Sequence, residues 1–174
     1  SKSRGLGDVY KRQDHEISDH VRTHGDGVKV LALQVEDARK ALEETRARGG
    51  EVVMEAAEFS DEHGSVVVSA IKTYGETIHK FIERRAYNGI FMPGYQPRNS
   101  TAPVSPVGLE YVDHCVGNVE LGKMDEWVAF YEKVMGFSLL LTFDDKDIST
   151  EYSALMSKVA VSYTHLTLPT TGSV

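Results

Sequence analysis

The chain has 174 residues and a formal net charge of −7, from 26 acidic against 19 basic side chains. That length suits one domain or two small ones, and the mild acidity argues against nucleic acid or an anionic membrane as partner. A single cysteine, Cys115, rules out an intrachain disulfide framework and predicts a reducing, cytoplasmic setting, and no apolar run approaches the roughly 20 residues that span a bilayer or reads as a signal peptide.

The two ends break the pattern of the middle. Residues 8–13 read D-V-Y-K-R-Q and residues 161–166 read V-S-Y-T-H-L. The first string can be encoded by GAT-GTG-TAT-AAG-AGA-CAG. The reverse complement of that DNA, shifted in frame, contains GTC-TCT-TAT-ACA-CAT-C, which encodes V-S-Y-T-H and opens a codon compatible with Leu. One duplex read on both strands accounts for both ends, and it resembles the transposon-end adapter used in sequencing libraries. Residues 1–13 and 161–174 are therefore set aside from fold reasoning, and His165 with them. The expected natural fragment is 14–160, cut at both sides from a longer gene.

Residues 14–27 carry His15, His20 and His24 among acidic neighbours. His20 and His24 are four apart, so on a helix they share one face, a spacing that can bind metal. Gly25 and Gly27 end any helix there and no third ligand is evident nearby, so these histidines read as solvated surface groups. Residues 28–35 (V-K-V-L-A-L-Q-V) read as a strand. A helix over 36–48 follows, with Asp37 in its first turn, Ala38, Ala41 and Leu42 as its apolar side, and Gly49-Gly50 to end it. Strands over 51–59, 66–74 and 76–84 come next, separated by the turn S-D-E-H-G-S at 60–65 and by Gly75. The order is βαβββ. Residues 88–108 hold Pro93, Gly94, Pro97, Pro103 and Pro106 with few apolar side chains, the composition of a linker.

After the linker the order restarts. Residues 109–116 (L-E-Y-V-D-H-C-V) read as a strand punctuated by Gly117 and Asn118. Met124, Trp127, Val128, Tyr131, Val134 and Met135 then fall on the i, i+3, i+4, i+7 spacing of one helix face, with Gly136 placed to stop the helix. Residues 137–143 form another strand, 144–147 (D-D-K-D) a charged turn, and 148–160 a last strand region. The fold class expected is α+β, built from two weak copies of one βαβββ module, 14–87 and 109–160, joined by 88–108. His114 lies in the strand that opens the second copy. Its imidazole is either a core group satisfied by neighbours or a metal ligand, and the residues alone leave both open. Asp113, the next residue on a strand, should point to the opposite face and so be a poor partner for it.

Residues 113–119 (D-H-C-V-G-N-V), 127–137 (W-V-A-F-Y-E-K-V-M-G-F) and 150–159 (T-E-Y-S-A-L-M-S-K-V) together resemble the start of the C-terminal domain of the 4-hydroxyphenylpyruvate dioxygenase family, of the vicinal-oxygen-chelate superfamily. The resemblance implies that 14–87 is the second module of an N-terminal domain and 109–160 the beginning of the catalytic domain. It implies that His114 is the first of three ligands to Fe(II), the other two, a histidine and a glutamate, lying beyond Ala160. It further implies that Ser157 and Val116 face the substrate; without it they read as a strand-surface serine and a core valine. Val30 and Lys80 stand where the N-terminal copy would need a ligand histidine and a carboxylate, which predicts a structural role for that half. His63 and His79 read as surface residues.

The activity implied is conversion of 4-hydroxyphenylpyruvate and O2 to homogentisate in tyrosine breakdown, by a homo-oligomeric parent. Two histidines and a carboxylate leave three iron positions open, for a chelating 2-oxo acid and dioxygen. The rival readings are 4-hydroxymandelate synthase and a non-catalytic binding or resistance protein of the same superfamily. With one ligand of three, the chain as written is expected to be inactive. Each module also lacks its natural mate, which predicts an uncovered sheet face and poor solubility.

Overall fold

The computed structural model describes residues 16–97, 105, 107–143, 149–150, 153–154 and 157–161. Residues 1–13 and 162–174, and His15 and His165, lie outside them. The first half forms α1 (Glu16–His24), β1 (Val30–Gln34), α2 (Ala38–Ala47), β2 (Val52–Asp61), β3 (Gly64–Lys72) and β4 (Ile78–Glu83). The α+β class and the βαβββ order expected for this half are what the chain adopts, with α1 added in front. The sheet order is β1-β4-β3-β2, with β1 parallel to β4 and the remaining pairs antiparallel.

Local chemistry fixes where α2 begins. Asp37 is extended, and its carboxylate accepts a hydrogen bond from the Lys40 backbone N–H at 2.8 Å, which caps the helix. Glu83, at the end of β4, accepts from the Ala38 N–H at 3.0 Å, so one sheet strand also caps the helix start. The helix then lies across the sheet face that carries Leu33, Val67, Ile71 and Phe81. Ala38 and Leu42 are buried there, and the Ser69 hydroxyl donates to the Ala38 carbonyl at 2.9 Å. The period-2 alternation of the strands sends Val66, Val68 and Ile82 to the other face, where they pack with Tyr87. Gly64 opens β3 at φ +121°, and a Cβ there would lie 2.0 Å from the Ala86 carbonyl oxygen. Only glycine lets the chain after β4 close against that turn.

In the second half, α3 (Met124–Lys133) ends where expected, with Gly136 at φ +72°. Val134 and Met135, just after α3, enter the same buried cluster as Leu33, Leu42 and Phe81. Beyond it, β5 (Ser138–Phe143) pairs antiparallel with β8 (Ser157–Val161), while β6 (Ser149–Thr150) and β7 (Ser153–Ala154) pair with each other. The strand region expected over 148–160 is thus divided among the described residues into β6, β7 and β8.

One expected strand does not form. Residues 107–120 have no regular secondary structure, and Leu109 is 90% exposed. A strand needs a neighbour for its backbone groups, and apolar, β-branched composition does not provide one. In the first half, β1 is held by the last strand of its own module, β4. Among the described residues no equivalent strand faces 109–116. The expected bare sheet face is also redistributed: Val66, Val68, Ala70 and Ile82 are buried, and exposed apolar side chains gather instead at Val107, Leu109, Tyr111, Val112, Val116 and Leu121.

Candidate functional site

The side chain of His114 is 73% exposed, and its Nδ1 lies 2.7 Å from Oδ2 of Asp113. The two side chains meet because the backbone is not a strand at this point, which corrects the expectation that they point apart. Val116, two residues on, is 75% exposed. Ser157 is half-buried on β8, where it pairs with Phe143. His114 and Val116 lie on the exposed stretch and Ser157 on the β5–β8 ladder. An imidazole and one adjacent carboxylate, both open to water, offer at most two donors. Among the described residues no further ligand reaches them, so they do not fit an iron centre built on two histidines and a carboxylate.

A cleft of about 320 Å³ lies where residues 118–120 and the start of α3 meet the β3–β4 turn. Tyr74 and Trp127 line it edge to face, with ring centroids 5.3 Å apart, and Lys123 at its rim pairs with Glu126 at 2.6 Å. It carries aromatic walls, the Lys123–Glu126 ion pair and a second carboxylate, Glu120.

His79 is 2% exposed and not the surface residue expected. Strand alternation places it on the face of Phe81, under α2 and α3, and a histidine between a threonine-isoleucine pair and a lysine gives little sign of which face it takes. The Leu31 carbonyl can only accept, so at 3.3 Å it takes the proton of His79 Nδ1. Nε2 is then the acceptor for the Tyr131 hydroxyl, which donates at 2.9 Å from α3. Burial holds the His79 imidazole below its usual range and pushes the Tyr131 phenol up, so both are neutral and the link suits a neutral pair. His63 is exposed in the β2–β3 turn, as expected. The sheet register sets Val30 opposite Ile78 and Ala32 opposite Lys80, so Val30 and Lys80 share one sheet face, and neither can ligate a cation.

The described residues do contain one group of metal-capable side chains, in a place the sequence had been read as bare. His20 and His24 on α1 meet Glu76 from the β3–β4 turn, with one donor atom from each lying within 4.8 Å of the others. His24 Nε2 is 2.9 Å from Glu76 Oε2, and this hydrogen bond holds the Glu76 carboxyl below its ordinary range. His20 is buried, not solvated. The i, i+4 spacing was legible; the third donor comes from a turn 52 residues after His24, and only the fold brings it there.

No family model matches the chain. Among curated proteins it is 42% identical over 151 residues to a 4-hydroxyphenylpyruvate dioxygenase of Coccidioides posadasii, a match covering 84% of this chain and 38% of that protein. The enzyme of the same name from Caenorhabditis elegans is 40% identical over 152 residues, covering 85% of this chain and 39% of that one. That of Dictyostelium discoideum is 41% identical over 149 residues, covering 83% and 41%. The chain therefore spans about two-fifths of the length of these relatives, 38–41%. Among solved structures, a triple mutant of 4-hydroxymandelate synthase from Streptomyces coelicolor matches with a TM-score of 0.54 at 18% identity, covering 75% of this chain and 37% of that chain. That likeness speaks for the fold, of vicinal-oxygen-chelate type.

Proposed function

We infer, since the chain is homologous to 4-hydroxyphenylpyruvate dioxygenases over 84% of its own length, that it is a segment of such an enzyme. The observation that carries the inference is the identity of 42%, 40% and 41% over 151, 152 and 149 residues with relatives that bear this one name. The reading comprises the substrate 4-hydroxyphenylpyruvate with O2, Fe(II) as the metal, homogentisate as product, a cytoplasmic location and a homo-oligomeric parent. Within it His114 is a ligand awaiting partners from outside this sequence, Val116 and Ser157 face the substrate, and residues 1–13 and 161–174 are adapter-derived. Supporting it are the restart of strand-like sequence, helix and strand after the proline-rich 88–108, and the half-buried, ligand-free character of Val30 and Lys80 in the first sheet.

Among the described residues His114 meets no second histidine and no glutamate, so this chain by itself is expected to show no oxygen uptake with 4-hydroxyphenylpyruvate and Fe(II). The test is to recover the source gene without adapters, read the frame past Ala160, and express the longer protein. A frame that supplies a further histidine and a glutamate, and oxygen uptake that His114→Ala abolishes, is the expected result. A natural frame running on through Tyr163, Thr164 and His165, or a longer protein whose turnover ignores His114→Ala, would overturn the reading.

A further inference from the structure

We propose that His20, His24 and Glu76 form a binding site for a divalent transition cation of the zinc class, which clamps α1 to the β3–β4 turn. It does not depend on the dioxygenase reading, since none of the three residues has a part in that reading. The donor set is the first argument. Two imidazoles and one carboxylate suit zinc, cobalt or nickel, and suit magnesium or calcium poorly, because those cations take oxygen donors.

Geometry is the second argument. Donor atoms around a tetrahedral zinc stand about 3.3 Å apart at ordinary bond lengths of roughly 2.0–2.2 Å. Here they already lie within 4.8 Å of one another, and the His20 and His24 rings are 4.8 Å apart between centroids and tilted by 44°. The closing movement needed is about 1.5 Å, taken from those figures. It falls to the side chains free to make it: those of His24 and Glu76 are 41% and 61% exposed.

The third argument is that the protein holds the site's frame but leaves one group unsatisfied. The turn carrying Glu76 is tied to the segment after α1, since the Thr77 hydroxyl donates to the Val28 carbonyl at 3.0 Å and the Ile78 N–H to that of Lys29 at 3.0 Å. The last turn of α1 is closed by Gly25 N–H donating to the Val21 carbonyl at 2.9 Å. His20, however, is 7% exposed and its Nδ1 is buried without a hydrogen-bond partner among the described residues. A buried imidazole is ordinarily satisfied. Metal ligation would give this imidazole a strong interaction that the described protein groups do not supply.

The test uses the full chain with Zn²⁺ and Co²⁺ as probes, followed by calorimetric titration and by visible absorption of bound Co²⁺. Expected are one equivalent bound, a Co²⁺ spectrum of low coordination number, and no competition from excess Mg²⁺. His24→Gln and Glu76→Gln change exposed side chains and preserve the fold; each should weaken binding by at least about tenfold, since loss even of an outer partner of a ligand costs 10–100-fold. His114→Ala should leave the titration unchanged, which separates this site from the exposed His114–Asp113 pair. Zn²⁺ should also raise the Tm of the parent chain and not that of Glu76→Gln. Equal Zn²⁺ affinity in parent, His24→Gln and Glu76→Gln, or a titration removed by His114→Ala, would overturn the proposal.

Discussion

Tyr131→Phe removes a polar link between α3 and the first sheet. The substitution deletes only the phenolic oxygen. The ring contacts that Tyr131 makes with His79 and Phe137, both at 5.6 Å between centroids, are kept. What is lost is the donor to His79 Nε2, on a side chain 2% exposed. An acceptor left buried without a donor costs about 1–3 kcal/mol, and for a chain of this size each kcal/mol lowers Tm by roughly 2–4 °C. Urea unfolding at pH 7.5, followed by fluorescence of the single tryptophan, Trp127, reads the change directly, since Trp127 lies on α3 against Tyr74 and Phe130. The companion is His79→Leu with Tyr131→Phe, which removes the acceptor together with its donor. The pair should lose less than the sum of the two single changes, by about 0.5–3 kcal/mol of coupling. A Tyr131→Phe midpoint equal to the parent's, or strict additivity in the cycle, would refute the link and with it the docking of α3 on this sheet.

The same histidine sets a pH dependence. Its imidazole is held below its usual range by burial, so the unfolded chain takes up a proton at about pH 6.5 that the folded chain refuses. Stability should be level above about pH 6.5 and fall as pH drops below it, and the fall should be smaller in His79→Leu; denaturant midpoints between pH 8 and pH 5 check this. Gly64→Ala should destabilise by at least about 2 kcal/mol, measured by the same unfolding curves, because it joins a φ of +121° to a Cβ placed against Ala86. Leu42→Ala should cost about 2–5 kcal/mol in the same assay, since Leu42 is 1% exposed at the centre of the cluster.

The first half was legible because its signals are local and repeated. Asp37 at the head of α2, Ala38, Ala41 and Leu42 along it, and the nearly continuous apolar run from Val66 to Ile71 all state their burial within a few residues. The helix at Met124 was legible for the same reason, and Gly136 marks its end. What failed was information carried by distant partners. His79 has the composition of a surface position until Tyr131, 52 residues later, is laid over it. His20 and His24 have the spacing of ligands and no third donor in reach until the β3–β4 turn folds back beside α1. In each case the side chain that decides the role lies about fifty residues away, beyond any pattern in periodicity or capping.

Residues 109–116 show the converse, a local signal with nothing distant to complete it. Their β-branched and aromatic content is as strong as that of β1, yet β1 is a strand and they are not. The difference is β4, which pairs with β1 in parallel through five residues, from Val30–Ile78 to Gln34–Ile82. In a βαβββ module of this sheet order the first strand is an edge that only the last strand holds. His114 belongs to that edge. Its exposure, its contact with Asp113 and the exposed apolar side chains from Val107 to Leu121 share one cause, the lack of a closing strand among the described residues. A peptide or longer chain that supplies that strand should bury Leu109, Tyr111 and Val116 together and turn Asp113 away from His114. Hydrogen exchange across 109–116 would detect this as protection arising in the longer chain, and equal, fast exchange in both chains would show that the edge does not depend on its partner.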